Sequence, residues 1–171
     1  MRSWIDHAVD LGAPVIRIFA GDLPAGATMA QAQRWCIDAI RQSLEYAASR
    51  GIVLALENHS GVVSTADQLL AIVHEIDSDW FGVNWDSGNF RGADPYVELA
   101  LIAPFADGST QDGNLAEWRF TRGGAWRRTF RVVGILRNAG YRGYLALEYE
   151  AKEDLRTAVP RYLRQLRALI R

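Results

Sequence analysis

Three separate apolar runs in this chain end on a carboxylate: Ala55-Leu56 runs into Glu57, Val83-Asn84-Trp85 into Asp86, and Ala146-Leu147 into Glu148. Each run is short, bounded by polar or glycine-containing segments, and followed by a stretch with helical spacing. That alternation reads as successive strand–helix units, which assemble through parallel strands covered by helices. In such architectures the C-terminal ends of the strands open onto the mouth of the fold, so the three carboxylates are expected to converge there.

The alternation extends along the whole chain. A helix over residues 4–11 stops at Gly12, with Pro14 just beyond, and a strand follows over 15–19. Residues 28–50 place Ala32, Cys36, Ile40, Leu44 and Ala47 on one stripe, Gly51 ends that helix, and 52–56 form a buried-strand run. Ser64, three residues before Asp67, resembles a capping box ahead of a helix whose apolar face is Leu69, Leu70, Ile72, Val73 and Ile76. A strand over 81–85, a helix over 95–102 and a strand over 105–111 come next. Residues 126–139 read as a helix with Phe130, Val133 and Leu136 inward and Gly140 as its stop, and 144–149 form the last strand. From Leu155 the chain is helical again, with Pro160 at a first turn or a kink. No repeat, low-complexity tract or linker interrupts residues 1–171, which read as a single domain. Five parallel strands with covering helices fit either a doubly wound sheet or part of a barrel.

Composition narrows the function. With 49% hydrophobic and 23% charged residues, the 171-residue chain matches a globular protein with a substantial core. Nineteen basic residues against twenty acidic ones leave a net charge of −1, which argues against a nucleic-acid partner or an anionic membrane surface. A single cysteine, Cys36, excludes an internal disulfide framework and a multi-cysteine metal cage and fits a reducing compartment, so a cytoplasmic location is expected. The N-terminus turns acidic and polar within a few residues, and no run approaches about 18 apolar residues, so neither a signal peptide nor a membrane span is expected.

Converging carboxylates repel one another unless a positive charge stands among them. A strand-end carboxylate can instead cap the next helix or pair with a basic residue. Three together favour a hard divalent cation, Mg²⁺ or Mn²⁺ for an all-oxygen set, with Co²⁺ or Zn²⁺ admitted by a neighbouring imidazole.

Four segments carry a more specific signal: Ile16-Arg17-Ile18-Phe19-Ala20-Gly21, Leu54-Ala55-Leu56-Glu57-Asn58-His59, Asn84-Trp85-Asp86-Ser87-Gly88-Asn89-Phe90 and Gly143-Tyr144-Leu145-Ala146-Leu147-Glu148-Tyr149-Glu150. In order and content they resemble successive strand-and-loop motifs of the sugar phosphate isomerase/epimerase family, the xylose isomerase-like TIM barrels. The resemblance implies a (β/α)8 barrel in which Glu57, Asp86 and Glu148 bind a divalent metal. It also implies that Glu57 and Glu148 exchange a proton on the carbon beside a carbonyl, through an enediolate that the metal stabilises. The substrate would be a small sugar or polyol-derived compound. His59, Asn89 and Arg91 are its candidate contacts, each also readable as an ordinary loop residue, and Glu150 shares a strand face with Glu148. Arg17 reads better as a salt-bridge residue than as a site residue, and Trp85 as packing.

Two departures from the family pattern stand out. The histidine expected to end the next-to-last strand is absent from residues 106–112, where Gln111 or Asp112 takes its place; His7 and His74 lie on helices. A barrel of this kind has eight strand–helix units in about 250 residues, whereas five units are legible here, matching the fourth to eighth. The chain is therefore expected to be a fragment, or to pair with a second copy or a separate N-terminal partner. Besides isomerisation or epimerisation of a ketose, the same residues would serve dehydration of a keto-inositol, or survive in a non-catalytic binding module. The abasic-site endonucleases of this fold need a histidine-rich site and a basic groove, which three histidines and a charge of −1 do not supply.

Overall fold

A computed structural model of the chain describes residues 1–106, 115–119, 125–149 and 152–170. Among them five strands alternate with six helices: α1 (Arg2–Leu11), β1 (Val15–Ile18), α2 (Met29–Ser49), β2 (Val53–Glu57), α3 (Ala66–Ile76), β3 (Phe81–Asp86), α4 (Pro95–Ile102), β4 (Leu115–Arg119), α5 (Ala125–Asn138), β5 (Tyr144–Glu148) and α6 (Leu155–Ile170). The strands form one sheet in chain order, β1-β2-β3-β4-β5, and every neighbouring pair is parallel. Sequential order without a switch point is the arrangement of a barrel wall, which removes the doubly wound alternative. Five of a barrel's eight strand–helix units are present among the described residues.

Each strand divides its residues between two faces. Leu54 and Leu56 of β2, and Phe81, Val83 and Trp85 of β3, pack outward against the helices, joined by Ile40 and Ala47 of α2, Leu69 and Ile72 of α3, and Leu99 and Ile102 of α4. Trp85 is fully buried and donates its indole N–H to the Leu99 carbonyl oxygen at 2.9 Å, which ties β3 to α4. The packing role expected of it holds. The opposite face of the same strands carries Arg17, Ala55, Glu57, Asn84 and Asp86, aligned by a register that pairs Arg17 with Ala55 and Glu57 with Asn84.

Several local expectations need correction. The capping box of α3 sits one residue later than expected: Thr65 is the N-cap, accepting from the Gln68 N–H, while Ser64 turns its hydroxyl to the Gly61 carbonyl. Both Ser-x-x-Asp and Thr-x-x-Gln satisfy the pattern, but a Gln side chain is long enough to reach back to the cap N–H. Of the strand expected over residues 105–111, positions 107–111 lie outside the described residues, and positions 105 and 106 are not extended. Residues Ala103–Phe105 continue α4 as a 3-10 turn, and the strand is Leu115–Arg119. Phe130 is 65% exposed; the inward stripe of α5 is Val132, Val133 and Leu136, and Phe130 falls on its flank. Of the two places expected for Pro160, a first turn or a kink, the first is excluded: it lies inside α6.

Candidate active site

Glu57, the last residue of β2, is a carboxylate held in a nearly dry place, with its side chain 3% exposed. Three groups meet it. Arg17, from β1, brings Nη1 to 3.1 Å of Oε2. Asn84, its register partner on β3, donates from Nδ2 to the same oxygen at 3.1 Å, and Asn89, in the loop after β3, donates from Nδ2 to Oε1 at 3.2 Å. Burial pushes the Glu57 carboxyl above the ordinary glutamate range. Arg17 opposes that rise most strongly, the Asp86 charge adds to it, and His59 and the Asn84 hydrogen bond pull the other way.

A pH dependence follows. In the folded chain Glu57 holds its proton more tightly than in the unfolded chain, so its contribution to stability is fully present below the unfolded value of about 4.3 and is lost as pH rises through the raised folded value. Glu57→Gln should flatten this part of the pH–stability profile of the metal-free protein, measured by denaturant melts between pH 4 and pH 8. An unchanged profile would place the titration elsewhere.

Asp86 ends β3 and is 1% exposed. Its backbone is held by a side chain: Asn58 Oδ1 accepts from the Asp86 N–H at 2.7 Å, and Asn58 Nδ2 donates to the Asp86 carbonyl at 2.9 Å. The amide thus extends the β2–β3 ladder past the point where the backbones part. Its own carboxylate accepts from the Gly88 N–H at 2.5 Å, closing an Asx-type turn that fixes its rotamer. Asn58→Ala would strand a buried N–H and a buried carbonyl together. A loss of about 2–4 kcal/mol in unfolding free energy is expected; a loss below 1 kcal/mol would mean that water replaces the clamp.

Glu148 ends β5, half-buried. The register carries the inward face from Asp86 through position 117 to Ala146, and Glu148 lies two residues further along the same face. Glu57 is likewise two residues behind Asp86, because it pairs with Asn84. The strand ends therefore climb four residues over the three strand steps from β2 to β5. That climb is close to the offset of about one residue per strand that a barrel with a shear of eight requires, and it brings the three ends to similar heights at the mouth. Glu57 and Asp86 come together. Glu148 does not join them closely enough to form one metal cluster: among the described residues no group of three or more His, Cys, Asp or Glu side chains is arranged to hold an ion.

The remaining candidates are spread around the rim. His59 is exposed, with Nδ1 3.1 Å from the Ser60 hydroxyl and its ring edge-on to Phe19 at 5.3 Å. The Arg17 guanidinium lies over the Phe19 ring, 4.9 Å from its centroid, so Arg17, Phe19 and His59 form a continuous rim beside Glu57. Arg17 is thus the salt-bridge residue expected, with the site's own carboxylate as its partner. Arg91 is exposed. His7 and His74 pack against Trp4 and Phe105 on helices. Gln111, Asp112 and Glu150 lie outside the described residues. With the fourth strand at Leu115–Arg119, the register position beside Asp86 belongs to Glu117 and that beside Glu148 to Arg119.

Two site residues were missed in the sequence, Asn58 and Asn84. Asn84 had a visible signal, because asparagine is depleted in strands and this one interrupts an otherwise apolar run. Its Oδ1 is buried without a hydrogen-bond partner among the described residues, which is costly unless something positive or a donor reaches it. Two buried carboxylates on adjacent strand ends, with an unsatisfied amide oxygen at the level of Glu57, are a hard-oxygen donor set, and it fits Mg²⁺ or Mn²⁺ better than a soft metal.

A parallel barrel wall with carboxylates, amides and an arginine at its C-terminal mouth defines an α/β-barrel protein with the architecture of a barrel enzyme. The chain belongs to the xylose isomerase-like TIM barrel family, whose model matches residues 1–169. Over 104 residues it is 28% identical to the L-ribulose-5-phosphate 3-epimerase UlaE of Escherichia coli, a match covering 60% of this chain and 37% of the epimerase. The chain thus spans well under two thirds of that relative's length. Among solved structures it superposes on the 3-keto-D-glucoside 4-epimerase YcjR of E. coli with a TM-score of 0.77 at 16% identity, covering 98% of this chain and 68% of that one. A xylose isomerase-like barrel protein of Mycobacterium smegmatis, in complex with magnesium, matches with a TM-score of 0.69 at 16% identity, covering 98% and 65%. Two of these three relatives are sugar epimerases. No helix among the described residues is long and apolar enough to cross a membrane.

Proposed function

We propose that this chain carries the metal-side half of the active site of a divalent-metal-dependent isomerase or epimerase acting on a ketose or a related hydroxy-keto compound. The observation that carries the reading is Glu57: a buried carboxylate with its proton affinity raised, fixed through both oxygens, beside a second buried carboxylate at the next strand end. A raised pKa brings a carboxylate toward the range where it both takes and returns a proton near neutral pH. Glu57 removes or restores the proton on the carbon next to the carbonyl, and Glu148, from β5, serves the other face of that carbon. Asn58 keeps Asp86 in place, and Asn89 orients Glu57 while presenting its loop to substrate hydroxyls, as do His59 and Arg91. Glu57, Asp86 and the Asn84 amide oxygen would hold the metal, Mn²⁺ or Mg²⁺, with Co²⁺ or Zn²⁺ as substitutes. When bound it supplies positive charge where an oxyanion develops.

The second reading, a non-catalytic binding module on the same scaffold, is favoured by one observation: Arg17 already neutralises Glu57, and no three-ligand cluster forms among the described residues. The edges of β1 and β5 would then, as in the enzyme, be covered by further strands of a longer chain, by a second copy or by a separate N-terminal partner. Thermal melting with and without Mn²⁺, followed by product analysis on a ketose panel, separates the readings. An upward shift with an epimerised or isomerised product supports the enzyme; a melt indifferent to metal and no turnover supports the binding module.

A further inference from the structure

The cation already at Glu57 has a consequence for metal binding. Arg17 starts on β1 at the level of Ala55, one inward-facing residue below Glu57, and the small Ala55 side chain leaves its path along the wall open. Its guanidinium meets Oε2, the oxygen that the Asn84 amide also holds, while its own side chain is 38% exposed against 3% for Glu57. The arginine therefore approaches from the solvent side, and Phe19 gives it a second resting surface 4.9 Å away. A divalent ion held by either oxygen of Glu57 would stand close to the guanidinium on Oε2 and repel it. A dry carboxylate with no counter-charge is the costlier alternative.

We propose that Arg17 is a built-in counter-cation that holds Glu57 in the metal-free protein and is displaced when a divalent cation binds, so that Arg17 sets the metal affinity of the site. This rests on the reading of Glu57 and Asp86 as metal ligands. Arg17 is a positioning residue in this account: it acts through Glu57, and the Phe19 face retains it at the mouth after it has left.

The test uses the whole chain and Mn²⁺ alone as the probe, with binding read by electron paramagnetic resonance and stability by melting in chelator. Arg17→Met keeps the length and the contact with Phe19 and removes the charge. It should lower the melting temperature without metal and at the same time tighten Mn²⁺ binding by about tenfold or more, since the ion no longer competes with a resident charge. Arg17→Lys, which keeps the charge, should return both quantities toward wild type and serves if the Met variant folds poorly. An arginine that merely braces the fold would lower the melting temperature and leave Mn²⁺ affinity unchanged or weaker, and that result overturns the inference. Asp86→Asn separates this failure from that of the underlying reading. If it abolishes Mn²⁺ binding while Arg17→Met does not tighten it, the ligands stand and the role of Arg17 falls. If neither wild type nor Arg17→Met binds Mn²⁺, both fall together.

Discussion

Glu57→Gln should reduce isomerisation or epimerisation by about 10²–10⁴-fold, the range for removing a positioned proton-transfer group. The substitution preserves the shape of the side chain and its acceptor for Asn84, and the loop residue Asn89 has only to turn its amide over to face the new NH2 group, but Gln takes no proton and is a weak partner for a cation. Unfolding does not explain such a loss. Burial already works against the charged form of Glu57, so a neutral side chain relieves a cost, and the partly exposed Arg17 can rehydrate at the mouth. Turnover and metal-free melting, measured on the same preparation, should therefore separate: activity falls steeply while the melting temperature near pH 7 holds or rises. Turnover within a few-fold of wild type, with the Mn²⁺ response intact, would remove Glu57 from both roles.

The largest expected effect on stability lies in the loop that follows Glu57. Gly61 has a φ of 70°, and a Cβ placed on it would stand 2.3 Å from the Gly21 carbonyl oxygen and 2.7 Å from the Asp22 Cα. Both are backbone atoms, so neither yields by a rotamer change. The contact exists because the loops after β1 and β2 are tied together, with the Val62 N–H donating to the Gly21 oxygen at 3.1 Å. Gly61→Ala should cost about 3 kcal/mol or more, combining left-handed strain of about 1–2 kcal/mol with the separation of the two loops. Gly26→Ala is the control. It has a φ of 80° but open space around the new Cβ, so it should cost only about 1–2 kcal/mol. Equal losses from the two variants would show that the loops part easily and that only the backbone angle matters.

The architecture was legible because its signals are local. Strand runs closing on Glu57, Asp86 and Glu148, and helix stops at Gly12 and Gly140, depend on near neighbours in the chain, and the structure places them within a residue or two of expectation. The fourth strand was missed because Leu-Ala-Glu-Trp-Arg has no β-branched residue, while the apolar segment before it, with Pro104, suits the 3-10 turn that extends α4. The site was legible in its carboxylates and opaque in what surrounds them. That Arg17 pairs with Glu57, that Asn84 faces it, and that Asn58 holds the Asp86 backbone are facts of register across strands 27 to 40 residues apart in the chain. Local pattern does not set register.

The two faces of β3 set how this protein could change. Val83 and Trp85 answer to the helices, while Asn84 and Asp86, on the opposite face of the strand, answer to whatever enters the mouth. Heritable variation on the mouth face therefore acts first on reactivity, and variation on the helix face first on folding. A library randomised at positions 17, 84 and 89 should return more folded members, with a wider spread of chemical behaviour, than one randomised at 54, 83 and 85.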